Sequence, residues 1–137
     1  MQTNAPVLIA GAGPVGLVAA NVLADAGIPV TVLESEPRIP ETLRASTFHP
    51  PTLDILDRFG ATERLIAQGL KAPRLQYRDR AGWKVQFDFG AIADLTKHPY
   101  RVQCEQFKLA LVLAGRLASK PGASIEFSST VTGVTQD

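Results

Sequence analysis

The run Val7-Leu8-Ile9-Ala10 leads directly into Gly11-Ala12-Gly13-Pro14-Val15-Gly16, and this junction restricts the possible folds more than any other stretch of the chain. A short apolar run bounded by turn residues reads as a strand covered on both faces in a parallel sheet. Pro14 falls where the first turn of a helix begins, at a position whose amide has no intrahelical partner. Residues 15–26 continue with helix formers as far as Gly27, which supplies a stop. Residues 28–33 are again apolar and β-branched, and they end at Glu34. Strand, glycine turn, helix and strand thus follow one another within the ~30 residues of a βαβ unit. Its crossover is expected to be right-handed.

Each glycine in the turn has a physical task. Gly11 permits a tight exit from the strand, Gly13 lets backbone amides approach a diphosphate, and Gly16 lets helix and strand pack closely. The helix N-terminus adds partial positive charge. Gly11, Gly13, Pro14 and Gly16 are therefore the expected pyrophosphate-binding residues of a Rossmann-like unit. Glu34 stands 23 positions after Gly11, close to the ~20 at which an acidic residue meets the ribose hydroxyls of a dinucleotide. A carboxylate there repels a 2′-phosphate, so FAD or NAD fits and NADP fits poorly. The competing reading is a plain turn followed by a solvated glutamate, and the full order of strand, helix, second strand and acid favours the dinucleotide.

Composition narrows the partners. A chain of 137 residues with 45% hydrophobic content reads as one soluble globular domain. Fourteen basic residues balance 13 acidic ones, with no basic run, which argues against nucleic acid and anionic membrane surfaces. No apolar stretch approaches the ~20 residues of a bilayer span, because Asn21 and Asp25 interrupt the longest one. Cys104 is the only cysteine and has no disulfide partner, and the N-terminal residues read as a core strand rather than a basic leader. A cytoplasmic protein with a small-molecule partner is expected.

Residues 35–51 contain Pro37, Pro40, Pro50 and Pro51 and show neither helical nor alternating pattern. Long irregular connections in compact domains are usually functional, and this one leaves the carboxyl end of a parallel strand, where ligands of open α/β sheets bind. Arg44 is its residue most suited to an anionic or planar ligand, since its fork bonds phosphate bidentately or stacks on a ring. A solvated loop arginine is the alternative.

At this point the glycine turn, Glu34, the stretch Arg44-Ala45-Ser46-Thr47-Phe48-His49-Pro50-Pro51-Thr52-Leu53 and Gln103 before a helix resemble the N-terminal part of the class A FAD-dependent aromatic monooxygenases. The similarity is to relatives of para-hydroxybenzoate hydroxylase, in the hydroxyphenylpropionate hydroxylase type. The resemblance implies FAD as cofactor, NADH or NADPH as co-substrate, dioxygen, and hydroxylation of an activated phenol or similar small aromatic ring. It makes Arg44 a flavin contact and brings Gln103 to the ribityl or phosphate region, although by chemistry alone that amide could bond neighbouring backbone. It implies no general acid or base among these residues, so the catalytic residues stay unassigned.

The remaining chain is read in the same way. Leu53, Leu56 and Phe59 form an apolar helix face ending at Gly60, and Thr62 can cap a short second helix carrying Leu65 and Ile66. Leu75, Tyr77, Trp83, Val85, Phe87 and Phe89 alternate around Asp79-Arg80-Ala81-Gly82, an antiparallel hairpin signal. Residues 1–137 thus read as the N-terminal portion of an FAD-binding domain, with residues 72–100 a hairpin insertion that the resemblance assigns to a substrate domain. Residues 105–119 are apolar on both sides and predict a well-buried helix packed on the parallel sheet. Cys104 reads as an inert buried thiol, and His49 and His98, each beside a proline, read as loop histidines rather than metal ligands.

Residues 124–127 and 130–135 read as two strands, after which the chain reads as truncated, since relatives continue much further. Two rivals stay open. One is a non-catalytic βαβ scaffold or interaction module covered through self-association, whereas a complementing C-terminal chain would favour the monooxygenase reading. The other is a different flavoprotein oxidoreductase or a halogenase built on the same glycine turn.

Overall fold

The computed structural model describes residues 5–82 and 84–136. In chain order the elements are β1 (Val7–Ala10), α1 (Pro14–Asp25), β2 (Val30–Leu33), β3 (Thr47–Phe48), α2 (Pro50–Asp57), α3 (Ala61–Gln68), β4 (Leu70–Ala72), β5 (Arg74–Arg78), β6 (Lys84–Asp88), a 3-10 turn (Phe89–Ile92), β7 (Arg101–Gln103), α4 (Gln106–Leu117) and β8 (Ala123–Glu126). They form two compact units, Met1–Thr42 with Phe107–Asp137, and Leu43–Gln106.

The first unit contains the expected βαβ. β1 pairs in parallel with β2 and β2 in parallel with β8, in the order β1-β2-β8. Val30 and Val32 on the central strand are fully buried, as a strand enclosed on both sides requires. β1 departs from the sequence expectation of cover on both faces: Leu8 is 63% exposed and Val7 is exposed as well. Among the described residues β1 has a partner only in β2, so its apolar composition exceeds its burial.

α4 also differs from expectation. Its buried side chains are Leu109, Ala110, Leu113 and Leu117, a stripe at helical spacing, while Leu111 on the other side is 46% exposed. The side chain that ties it into the unit is polar. Asn21 of α1, fully buried, donates from Nδ2 to the Leu113 carbonyl at 3.1 Å and to its own-helix Leu17 carbonyl at 2.8 Å. Its Oδ1 accepts from Arg116 at 2.9 Å, and Arg116 and Lys120 both pair with Asp25. The expected strand at 130–135 does not form. Ser128 has φ 55, and its amide and that of Ser129 bond the Glu36 and Glu34 carbonyls, so the chain is drawn out of strand geometry directly after β8. β-branched composition does not make a strand where no neighbouring strand offers a ladder.

The second unit centres on a small antiparallel sheet, β3-β7-β4. This shortens the irregular connection expected over 35–51, because Thr47 and Phe48 pair with Gln103 and Val102 and α2 starts at Pro50. Phe48, Leu53, Leu56, Phe59, Leu65 and Val102 are buried, so the apolar helix faces read from the sequence do form the core here. Thr62 does not cap α3. Gly60 takes that place in the left-handed conformation, φ 64, which a residue with a Cβ rarely adopts. Thr62 lies inside the helix and donates its hydroxyl to the Leu53 carbonyl at 2.6 Å, which joins α3 to α2.

β5 and β6 form the expected hairpin, closed by Gly82 N–H to the Asp79 carbonyl at 3.3 Å. Tyr77 and Phe87 meet edge to face on one side. Trp83, which the sequence placed in this hairpin, lies outside the described residues.

Removing the buried amide is expected to loosen the first unit. Asn21→Ala deletes three hydrogen bonds and opens a small cavity, for an expected loss of about 2–3 kcal/mol. The measurement is a lower urea midpoint at unchanged m-value. Asp25→Ala, which touches only the more exposed end of the same network, is expected to cost less.

Candidate functional site

The glycine turn sits between the carboxyl end of β1 and the N-terminus of α1. Gly11 has φ 99 and donates its N–H to the Leu33 carbonyl at 2.7 Å, binding the exit of β1 to the end of β2. Gly13 is the N-cap residue of α1 and makes no side-chain cap. Pro14 opens the helix, and the first-turn amides have no intrahelical acceptor. A Cβ on Gly13 would meet nothing within 4 Å, so the backbone there faces open space into which a phosphate can come close. Val15 beside it is exposed. Gly16 has the opposite surroundings: a Cβ there would collide with the Gly11 carbonyl oxygen and lie 3.2 Å from Ile9 Cγ2.

Glu34 is buried, which excludes the solvated strand-end reading. Its Oε2 accepts the Ala12 N–H at 2.7 Å, while Oε1 accepts the Glu36 N–H at 3.0 Å and the Ser35 hydroxyl at 3.2 Å. Burial pushes its pKa up. The Glu36, Ala12 and Ser35 donors outweigh that and hold it below the usual glutamate value. A carboxylate offers about four acceptor sites, and the Ser35 amide joins these three as a further donor, so a ribose hydroxyl would share an oxygen with an internal donor. The open backbone at Gly13, the first-turn amides of α1 and the ionised Glu34 at the end of the neighbouring strand together fit a dinucleotide.

Arg44 and Gln103 belong to the second unit. Arg44 is exposed and makes no side-chain hydrogen bond or ion pair among the described residues. The segment after it is pinned, since Ala45 and Ser46 carbonyls accept the Gln106 and Cys104 amides at 2.9 and 2.8 Å. The Gln103 amide is fixed at both ends: Oε1 accepts from Thr47 Oγ1 at 2.9 Å and Nε2 donates to Ser46 Oγ at 2.7 Å. Its partners are side-chain hydroxyls, not the neighbouring backbone considered from chemistry alone.

Cys104 is buried, as read from the sequence. His98 is in a connecting segment but is also buried, with Nδ1 2.7 Å from Asp54 Oδ1. The Thr96 hydroxyl and His98, in that order, lower the Asp54 pKa against a smaller opposing effect of burial. This pair joins α2 to residues 96–98, and nothing in the local spacing signals it, because Asp54 and His98 are 44 positions apart. Among the described residues no group of three His, Cys, Asp or Glu side chains is placed to hold a metal ion. No described helix is long and apolar enough to cross a membrane.

The profile of the family described as "FAD binding domain" matches residues 4–137. The chain belongs to that family. The chain is 34% identical over 138 aligned residues to para-nitrophenol 4-monooxygenase of a Pseudomonas species, covering 100% of the chain and 34% of that relative. It is 33% identical to 6-hydroxy-3-succinoylpyridine 3-monooxygenase of Pseudomonas putida, covering 96% of the chain and 34% of the relative. The crystal structure of p-nitrophenol 4-monooxygenase from Pseudomonas putida superposes with a TM-score of 0.89 at 33% identity, over 96% of this chain and 34% of that one. The chain thus spans about a third of the length of these relatives. The resemblance to FAD-dependent aromatic monooxygenases holds, and FAD is the dinucleotide of the family.

Two outcomes are expected at the turn. Gly16→Ala forces the Gly11 carbonyl to move and is expected to cost about 1–3 kcal/mol, seen as a lower Tm. Glu34 has a lowered folded-state pKa, so its contribution to stability is fully present above about pH 4.5, the ordinary value. That contribution is lost as pH falls through the lowered value. Urea titrations of the native chain and Glu34→Gln across that range test this, because the substitution is expected to flatten that part of the profile.

Proposed function

We infer that this chain supplies the FAD-binding part of a flavoprotein monooxygenase that hydroxylates a small phenolic ring with NADH or NADPH and dioxygen. The observation carrying this reading is the pairing of an open Gly13 backbone at the α1 N-terminus with a buried, ionised Glu34 at the end of the adjacent strand. The family match and the monooxygenase relatives support the reaction class.

On this reading Gly11, Gly13, Pro14 and Gly16 receive the pyrophosphate through backbone donors and the helix N-terminus. Glu34 accepts an adenosine ribose hydroxyl, and its negative charge disfavours a 2′-phosphate. Arg44 meets the flavin or phosphate portion as a charged fork, and Gln103 donates or accepts at the ribityl region once its hydroxyl partners have set its orientation. FAD, when bound, supplies the redox chemistry with oxygen. The protein's part is to bind, to orient and to keep water away. Residues 72–100, containing the β5–β6 hairpin, serve as an element of the substrate domain, and the setting is cytoplasmic.

The deciding experiment is the visible spectrum of the purified chain after incubation with FAD and gel filtration. Flavin bands are expected to co-elute with the protein. Gly13→Val places a branched side chain in the phosphate approach and is expected to weaken FAD binding by at least about tenfold while the fold, followed by far-ultraviolet dichroism, persists. A folded native chain that elutes colourless, or a Gly13→Val variant with unchanged flavin affinity, sinks the reading.

A further inference from the structure

We propose that Arg101 anchors an oxyanion carried on an aromatic ring, the phenolate or carboxylate of the substrate. The ligand class rests on the monooxygenase reading above, and the anion site rests on the second unit alone. Arg101 Nε is buried and has no hydrogen-bond partner, the only such side-chain atom among the described residues. A guanidinium donor shielded from water and left unpaired is unfavourable unless an acceptor arrives to meet it.

The sheet places this donor on a usable surface. Along β7 the burial alternates, with Val102 fully buried between Arg101 and Gln103. Val102 faces the core with its partner Phe48, while Arg101 and Gln103 leave the strand on the opposite face. The cross-strand neighbours on that face are Thr47 and Leu70 beside Gln103 and Ala72 beside Arg101, and Leu70 is 74% exposed. This face is therefore partly exposed, partly apolar and free of carboxylates at those positions. The Arg101 guanidinium also lies 5.8 Å from the centroid of the Phe89 ring. A cation already stacked on one aromatic side chain, with an unmet donor at its edge, suits a planar anion whose ring lies against apolar surface.

Position adds a reason for a substrate rather than a structural counter-ion. Arg101 and Gln103 are two residues apart on one face, about 7 Å along the strand. An anion held by Arg101 thus sits beside the proposed flavin contact. A phenol bound there as its phenolate is also electron-rich, the state in which a ring is most readily hydroxylated.

The test uses the FAD-incubated chain and 4-nitrophenol, whose phenolate absorbs visibly, at a pH just below the phenol's own pKa. Benzoate is the carboxylate probe and nitrobenzene the neutral one. Binding at Arg101 is expected to raise the phenolate band as protein is added. Arg101→Leu is expected to weaken anion binding by about tenfold to a hundredfold, leaving nitrobenzene binding and flavin affinity unchanged. Arg101→Lys, which keeps charge without the fork, is expected to fall between. Should the leucine variant fail to fold, Arg101→Gln carries the same comparison. Loss confined to 4-nitrophenol identifies phenolate as the source of the oxyanion, and loss confined to benzoate identifies carboxylate.

The proposal is overturned if the native chain binds neither anion. It is overturned equally if the uncharged variant binds them as tightly as the native chain, or if that variant loses FAD together with the anion, which would make Arg101 a flavin contact. A native chain that holds no FAD overturns the functional reading instead, and the anion titration on the flavin-free chain then decides the Arg101 site separately.

Discussion

The first unit depends on the ionised carboxylate of Glu34 holding the Ala12 amide at 2.7 Å. Ala12 lies between the two glycines that a ligand must approach, and it is itself buried. Without an internal acceptor its N–H would be a costly orphan, and the turn would be free to swing with it. The same carboxylate takes further donors from Ser35 and Glu36, so one group organises both the loop after β1 and the loop after β2. Gly16 completes the arrangement from the other side by allowing α1 to close against the Gly11 carbonyl. The phosphate-facing backbone is thus set before any ligand arrives, which reduces the ordering cost of binding.

Elsewhere the registry of packed elements is set by single polar contacts within apolar surroundings. Leucine stripes give helices attraction but little preference for one sliding position over another. Asn21 to the Leu113 carbonyl fixes α1 against α4, and Thr62 to the Leu53 carbonyl fixes α3 against α2. Asp54 with His98 and Thr96 fastens α2 to the segment preceding β7, and Gln103 with Ser46 and Thr47 fastens β7 to β3. Each is 2.6 to 3.1 Å long and at least one partner is a backbone carbonyl, a carboxylate or a side-chain amide held at both ends, so the geometry is directional where the hydrophobic effect is not.

What was legible in the sequence was local. The βαβ unit, the hairpin turn and the apolar faces of α2 and α3 follow from spacing and turn chemistry over a few residues, and the structure contains them. The errors share a cause, because each depended on what lies across from a residue. β1 was composed like an enclosed strand but has one neighbour among the described residues, α4 was apolar on two sides but buries one, and residues 130–135 had strand composition without a ladder. Thr62 resembled a cap because caps and inward hydroxyls use the same residue types, and Gly60 beside it was better suited to the left-handed turn. At the site, the glycines and Glu34 were marked by position alone. The hydroxyl partners of Gln103 and the carboxylate beside His98 were not, since they lie 56 or 57 and 44 positions away.

By itself the sequence determined that a strand would end in a glycine turn, that a helix would begin at Pro14, and that an acid would close the second strand. Those features arise from steric limits on φ, from the missing amide of proline and from the period of apolar residues, all of which act within a few bonds. Only the tertiary structure decided that Glu34 would be buried and ionised, that Gln103 would be oriented by two hydroxyls, and that Arg101 would keep a shielded donor unmet. Burial and hydrogen-bond satisfaction are properties of what surrounds an atom in space, and a chain has no such surroundings until its distant segments have met.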